Sequence, residues 1–270
     1  DKTSMIFTPQ LSFQNNHSTS NTTGDTREGD GTALISTINQ RDNKSNGYNF
    51  GGNLLLRHQL NKPGRTVSLN LGSTINDQNR SGTLYARNLY YANLITPGDT
   101  IDQISSTATN GVRLSANINY TEPLSKTSQL QFSYNTTLSN NNSLKETYDL
   151  TPFENRYSSL DTLLSNNFDN QYLTNRGGVG YRYRKGGFFG TLDVNYQNAQ
   201  LHSNQLFPRI SEVNTSFNNI LPGAMLSYRM KSGNQFRLFY RTSTQEPSVN
   251  QLQNVIDNSN PLALTAGNPN

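Results

Sequence analysis

The sequence has no cysteine and no tryptophan among its 270 residues. Without cysteine the chain forms neither disulfides nor thiolate metal sites. It also lacks any run of about 20 apolar residues, which excludes a membrane-spanning helix but not membrane-spanning strands, because strands leave no such run. The net charge is only +4, from 22 Lys and Arg against 18 Asp and Glu. These charges are scattered, so the basic stripe of a nucleic-acid-binding protein is missing, and we expect no nucleic-acid partner.

Apolar residues are also scarce, at 32% of the chain, and the mean hydropathy is −0.72. A soluble β-sandwich of this length needs more Val, Ile and Leu for its core. Disorder would explain the scarcity, but 10% aromatic residues and repeated alternation argue against it. A large transmembrane barrel explains both features, because only one face of each strand is apolar while the other faces a polar lumen.

The clearest alternation flanks the tight turn Lys231-Ser232-Gly233-Asn234. The apolar members on the two sides are Ala224, Leu226, Tyr228, Phe236, Leu238 and Tyr240. A period of two is typical of half-buried antiparallel strands. Gly233 and Asn234 supply the positive φ angles that a short connection needs. This stretch therefore predicts a β-hairpin.

The same pattern predicts strands along the whole chain. They lie at residues 3–14, 33–40, 48–60, 65–76, 111–120, 130–138, 176–184 and 188–196, besides the hairpin. Pro9 indicates that the first is an edge strand or carries a bulge. Short turns at 61–64, 122–127, 185–187 and 231–234 separate long polar connections at 15–32, 77–110, 151–175 and 197–218, with a further turn at 41–47. Short turns at one end and long loops at the other are typical of outer-membrane barrels.

Aromatic residues cluster near these short turns, as in a girdle at the level of the lipid headgroups. They are Tyr120, Phe132, Tyr134, Tyr181, Tyr183, Phe188, Phe189, Tyr228, Phe236 and Tyr240. The predicted fold class is all-β, an antiparallel up-and-down meander of long hairpins forming part of a transmembrane β-barrel. We expect about nine or ten strands in a single partial barrel over residues 1–270.

Residues 221–270 also resemble a known family. The strand end Phe239-Tyr240-Arg241 is followed by EPSVNQL, an Asn-rich stretch, NPL and GNPN. This order is similar to the barrel region of TonB-dependent outer-membrane receptors, in particular the outer-membrane β-barrel family of bacteroidetes. The family's usual Tyr-Ser-Arg is replaced here by Tyr240-Arg241-Thr242, and the chain stops at Asn270, before the Leu expected next.

The resemblance implies a place in the gram-negative cell outer membrane, embedded in its lipid. It also implies uptake of a bulky ligand (a siderophore, glycan, vitamin or peptide) and, in the full-length protein, partnership with a plug domain, with TonB and with a surface lipoprotein. Residues 1–270 are expected to hold neither the plug nor the terminal strand, and to be a segment of such a receptor. No catalytic motif is present, so we expect a non-enzyme without cofactor.

Two groups of residues are candidates for ligand contact. Tyr85, Tyr90 and Tyr91 lie in the connection 77–110, where they would stack on sugars or hold a peptide; the alternative is strand extension above the membrane with cross-strand aromatic pairs. Arg237 and Arg241 are expected to face the lumen by alternation. The same alternation assigns Arg113, Asn117, Gln131 and Asn195 to the lumen.

No metal site is predicted. His17, His58 and His202 are far apart in sequence and have no acidic neighbours at ligand spacing, so they are interpreted as ordinary polar residues. A different class of function also fits the composition: a soluble, extracellular, β-rich module that binds glycan or protein.

Overall fold

The computed structural model describes residues 2–91 and 98–245, and the backbone of 256–257 and 265–266. Almost all of the described chain is β-strand. The strands are β1 (Thr3–Arg27), β2 (Ala33–Gln59), β3 (Thr66–Tyr90), β4 (Gly98–Pro123), β5 (Ser128–Thr151), β6 (Arg156–Leu160), β7 (Asn166–Lys185), β8 (Phe188–Phe207), β9 (Ser211–Arg229), β10 (Gln235–Arg241), β11 (Ile256–Asp257) and β12 (Thr265–Ala266).

Ten of these strands form one antiparallel sheet in the order β1-β2-β3-β4-β5-β7-β8-β9-β10, with the short β6 paired to β5. Strands β11 and β12 make a separate pair. Each long strand pairs with its neighbours along the chain, so the predicted up-and-down meander is confirmed. Strand β1 lies at an edge, as Pro9 indicated. Among the described residues, no helix has the length and apolar character needed to span a membrane.

The register of the predicted hairpin is confirmed. Phe236 lies opposite Tyr228, Leu238 opposite Leu226, and Tyr240 opposite Ala224, so the apolar sets of β9 and β10 share one face. Gly233 has a φ of 90°. Asn234 does not share it, because within the described residues Asn155 is the one non-glycine with positive φ. The turn therefore needs one left-handed residue, and the expectation of two was wrong.

Apolar side chains run in register across all the long strands. One row passes from Tyr134 on β5 to its partner Ile118 on β4, then to Leu69 on β3 and Leu56 on β2. Within residues 2–91 and 98–245, no second layer covers this face, which we call the outer face. Leu114, Leu192 and Leu238 on it are 48%, 57% and 53% exposed. An apolar surface of this extent marks contact with another apolar phase.

The height of the outer apolar band fits a bilayer. On β4 it extends from Val112 to Tyr120, nine residues, or roughly 30 Å along a strand that rises about 3.3 Å per residue. A tilt of about 40° lowers this to roughly 23 Å, close to the band of about 25 Å in outer-membrane barrels. The short turns that follow the band adopt their expected glycine conformations, with φ of 82° at Gly64 and 58° at Gly186.

Beyond the band, the strands continue much further than predicted. The expected loop at 15–32 is strand as far as Arg27, and the expected turn at 41–47 lies inside β2. Likewise, β8 continues to Phe207. Most of 151–175 is also paired, through β6 and β7. These predictions were wrong because both faces meet water outside the membrane, so the apolar alternation ends while the backbone hydrogen bonds persist.

Candidate functional site: the inner face of the sheet

The face opposite the apolar band, here called the inner face, carries the polar half of each strand. The predicted lumen residues Gln131 and Arg241 lie in one row, connected through Gly180, Asp193 and Gly223. Alternation along the strands places Arg113, Asn117, Asn195 and Arg237 on the same face. Asn195 and Ser227 are only 8% and 9% exposed, in contrast to the outer side chains.

A basin of about 610 Å³ lies on this inner face, over β4 to β10. Neutral amides and hydroxyls form one side of its lining: Asn117, Asn119, Gln131, Ser133 and Asn135. Its other side is charged, with Arg176, Arg182, Asp193 and Arg241. The lining thus combines hydrogen-bonding groups with a concentration of positive charge on β7 and β10.

Below the basin, towards the short turns, two arginines contact one aromatic ring. The guanidinium carbons of Arg182 and Arg184 lie 6.0 and 5.0 Å from the ring centroid of Phe189. Both distances are within the range of a cation–π attraction. Arg237 lies in the same row, connected to Phe189 through Ser227. Phe189 was predicted to join the outer aromatic girdle; this was wrong, because it is odd-numbered on β8 and points with Asp193 and Asn195.

The rest of the girdle near the turns is in place on the outer face. Tyr120 and Phe132 stack with ring centroids 6.2 Å apart, and Tyr183 and Phe188 with centroids 6.0 Å apart. Sequence reasoning missed the contribution of Arg182, Arg184 and Phe189 to the inner face. Strict alternation from Val179, Tyr181 and Tyr183 on β7 would have assigned the two arginines, and alternation from Leu192 and Val194 on β8 would have assigned Phe189.

Asp193 is the acidic residue of the basin. Its Oδ2 accepts a hydrogen bond of 2.9 Å from Nδ2 of Asn195. Gly223 lies beside it, and a Cβ at Gly223 would come within 2.7 Å of Oδ1. A side chain there would therefore displace the carboxylate, which explains the glycine in the middle of β9.

The three candidate tyrosines do not share a surface. Tyr85 and Tyr90 are five positions apart on β3 without an intervening bulge, so they point to the outer and inner faces respectively. Tyr91 follows the strand and is 55% exposed. Strand extension in this region is confirmed, but cross-strand aromatic pairing is not: the neighbours of Tyr85 are Gln40 and Asp102.

A second charged cluster connects two short turns. Glu122 accepts hydrogen bonds from Lys62 Nζ at 2.6 Å, from Arg65 Nε at 2.7 Å and from the Tyr120 hydroxyl at 2.6 Å. These bonds, led by that of Arg65, lower the pKa of Glu122 from 4.5 to about 2. Lys62 also donates to the Pro123 carbonyl oxygen at 2.6 Å. The cluster ties the β2–β3 turn to the β4–β5 turn.

The histidines have partners that the sequence spacing did not reveal. His17 Nε2 lies 2.6 Å from Asp42 Oδ2, and His202 Nδ1 lies 3.7 Å from Glu212 Oε1. Strand pairing supplies these acidic neighbours, which lie far from the histidines in sequence. The hydrogen bond from His17 lowers the pKa of Asp42. Across the described residues, no three His, Cys, Asp or Glu side chains gather as metal ligands.

Comparison with known proteins gives a family and likenesses to solved structures. Residues 58–270 match the family model described as the outer membrane protein beta-barrel family. The fold is similar to the unliganded ferric citrate transporter FecA, with 10% identity, a TM-score of 0.40, and coverage of 85% of this chain and 42% of that one. It is also similar to P. aeruginosa FpvA bound to heterologous pyoverdines, with 10% identity, a TM-score of 0.35, and coverage of 84% and 40%.

The chain thus spans about two fifths of the length of these two solved structures. No curated protein matches it.

Proposed function

Since the chain belongs to the outer membrane protein beta-barrel family, we propose that it forms part of the barrel wall of a TonB-dependent receptor that takes up a bulky ligand. The observation that supports this most is the division between the two faces of one sheet. The outer face is an exposed apolar band of bilayer height, and the inner face is polar and holds a basin of about 610 Å³. A cavity of this size accommodates a ligand of several hundred daltons.

The apolar band also favours one of the two candidate functions, the outer-membrane barrel, over the soluble binding module. A soluble binding module would leave this whole face in water, and the free energy of hydrating it would drive aggregation. In the outer membrane, the same side chains meet lipid. The exposed leucines therefore favour the outer-membrane barrel over the soluble module.

Each candidate residue has a role that depends on the face of the sheet on which it lies. Arg237 and Arg241 face the ligand from the inner wall, and Tyr90 contacts it at the far end of β3. Tyr85 points to the outer face, so it contacts a ligand only outside the lumen, on the part of β3 that extends beyond the membrane. Tyr91 contacts a ligand only at the end of that extension. The receptor is proposed to act without catalysis, with a plug domain, TonB and a surface lipoprotein as partners.

Uptake measurements test this function. Cells with and without the gene would receive labelled ferric siderophores, cobalamin, oligosaccharides and peptides, with and without a protonophore. We expect one class to accumulate only in cells that carry the gene, and only while the inner membrane is energised. Equal accumulation of all four classes in both strains would contradict the proposed function.

A further inference from the structure

Five arginines on the inner faces of β7 and β10 form a surface that we call the arginine wall. Its members are Arg176, Arg182, Arg184, Arg237 and Arg241. Within the described residues, none of the ion pairs includes any of the five. On the inner face of β7 to β10 in that same part of the chain, Asp193 is the one acidic residue, and it accepts a hydrogen bond from Asn195. The wall is therefore rich in positive charge without matching negative charge.

The spacing of the arginines makes this imbalance costly. Arg182 and Arg184 are two positions apart on β7, so their side chains leave the same face about 7 Å from each other. Like charges on neighbouring positions of one face repel, and cation–π contact with Phe189 compensates only part of this repulsion. Each guanidinium group still carries N–H donors in a fixed fork geometry. An anion that accepts from these N–H groups would remove the repulsion.

Strand pairing places the second pair of arginines across from the first. Arg237 is in the row of Arg184, and Arg241 is in the row of Gly180. Two strands, β8 and β9, separate β7 from β10, so the backbones are about 14 Å apart at about 4.8 Å per step. Extended arginine side chains from β7 and β10 can approach each other across this distance. Ser227 lies between Arg237 and Arg184 and carries no charge, whereas Asp193, in the row of Arg241, offsets one of the five positive charges.

The arginine wall lies opposite strands whose side chains in the basin are neutral and polar. On β4 and β5 the same basin is lined by neutral amides and hydroxyls, among them Asn117, Gln131 and Asn135. The positive charge thus occupies one side of the basin, opposite groups that both donate and accept hydrogen bonds. This suits a compact molecule that carries several carboxylates together with neutral polar groups.

We propose that the arginine wall binds an organic polycarboxylate, each carboxylate being held by a guanidinium in a paired, two-bond contact. The inference rests on the proposed function in one respect: the inner face must line the path of the ligand. It goes further by giving the chemical class of the ligand. Binding to the purified protein is the readout, so a failure of this inference is distinguishable from a failure of uptake.

The test is calorimetric titration of the protein, purified from outer membranes in detergent, with propane-1,2,3-tricarboxylate. The neutral triamide of the same shape and inorganic phosphate serve as comparison ligands. We expect the tricarboxylate to bind, the triamide not to bind, and phosphate to bind at least about tenfold more weakly, because it satisfies one arginine pair rather than two. Binding should weaken as salt is raised.

Variants locate the site. The double variant Arg182→Gln, Arg184→Gln should bind the tricarboxylate at least about tenfold more weakly, since it removes two charged hydrogen-bond donors to the carboxylates. Arg113→Gln, an inner-face arginine on β4 outside the wall, should bind as the parent does. If the double variant does not fold, the single variant Arg237→Gln tests the same site.

Three results would overturn the proposal. They are unchanged affinity in both wall variants, equal affinity for phosphate and the tricarboxylate, and tighter binding of a glutamate-rich peptide than of the tricarboxylate. The last would assign the wall to an acidic polypeptide segment instead of a small ligand.

Discussion

Glu122 at the end of β4 and Arg65 just before β3 form a two-bond ion pair, with Nε to Oε2 at 2.7 Å and Nη2 to Oε1 at 2.9 Å. These residues are 57 positions apart in sequence. With the Lys62 ammonium on Oε1 at 2.6 Å, this pair fixes one short turn against the next. Several bonds to one carboxylate make this cluster stronger than an isolated surface ion pair.

Replacing Glu122 with Gln should therefore lower the thermal midpoint of unfolding by several degrees. The amide keeps the shape but loses the charge that holds both Arg65 and Lys62. Glu154→Gln is the matched control, because Glu154 pairs with Arg156 only two positions away and connects no separate hairpins. Thermal unfolding followed by circular dichroism measures both variants. An equal shift in the two midpoints would contradict the role given to Glu122.

The same cluster predicts an acid-sensitive step. Because the pKa of Glu122 falls from 4.5 to about 2 on folding, its contribution to stability is fully present above pH 4.5. The contribution is lost as the pH falls from about 4.5 towards 2, where the folded carboxylate becomes protonated. The difference in thermal midpoint between the parent and Glu122→Gln should therefore shrink over this interval. A difference that stays constant from pH 7 to pH 2 would show that another effect causes it.

A charge on the outer face should block stable insertion, whereas the same charge on the inner face should not. Leu114→Arg places a guanidinium inside the apolar band on β4, where the cost of a charge rises to about 2–4 kcal/mol at the bilayer centre. Ser115→Arg, one position further on, points to the polar inner face and is the control. Urea-induced unfolding in lipid vesicles measures the free energy of unfolding of both variants. Similar destabilisation by the two substitutions would mean that the faces are assigned wrongly.

The turn between β7 and β8 contains two glycines with different requirements. A Cβ at Gly187 would clash with the backbone carbonyl oxygen of Arg229, which cannot move aside. Gly187→Ala should therefore cost about 1–3 kcal/mol, as for other overpacked sites. Gly186 has a φ of 58° and open space around it, so Gly186→Asn should be nearly neutral. Unfolding midpoints in urea distinguish them, and a larger loss for Gly186→Asn would refute this account of the turn.

The sequence predicted the fold where water and lipid lie on opposite faces of a strand. Alternation from Ala224 to Tyr240 was sufficient to predict the β9–β10 register, and Gly64 and Gly186 marked their turns. Alternation fails in segments such as 77–90, because Asn79, Ser81 and Thr83 meet the same solvent as their neighbours. Backbone hydrogen bonds maintain those strands, and they leave no pattern in the side chains.

The candidate site was predictable only in part. Alternation put Arg237 and Arg241 on the polar face, but it gave no sign that Arg182 and Arg184 meet Phe189, since that contact depends on the pairing of β7 with β8. Tyr85 and Tyr90 form one candidate cluster in the sequence, because the sequence alone does not show that they lie on opposite faces of β3. The residues of the EPSVNQL, NPL and GNPN motifs lie outside the described residues.

The division of the sheet into a lipid face and a lumen face is tested most directly on two adjacent residues of β10. Leu238→Cys and Arg237→Cys would be labelled in intact outer membranes, once with a water-soluble maleimide and once with a lipid-soluble one. We predict that Cys at 237 reacts with the water-soluble reagent and that Cys at 238 reacts only with the lipid-soluble one. The opposite result, with position 237 accessible only from lipid, would contradict the register and the placement of the arginine wall in the lumen.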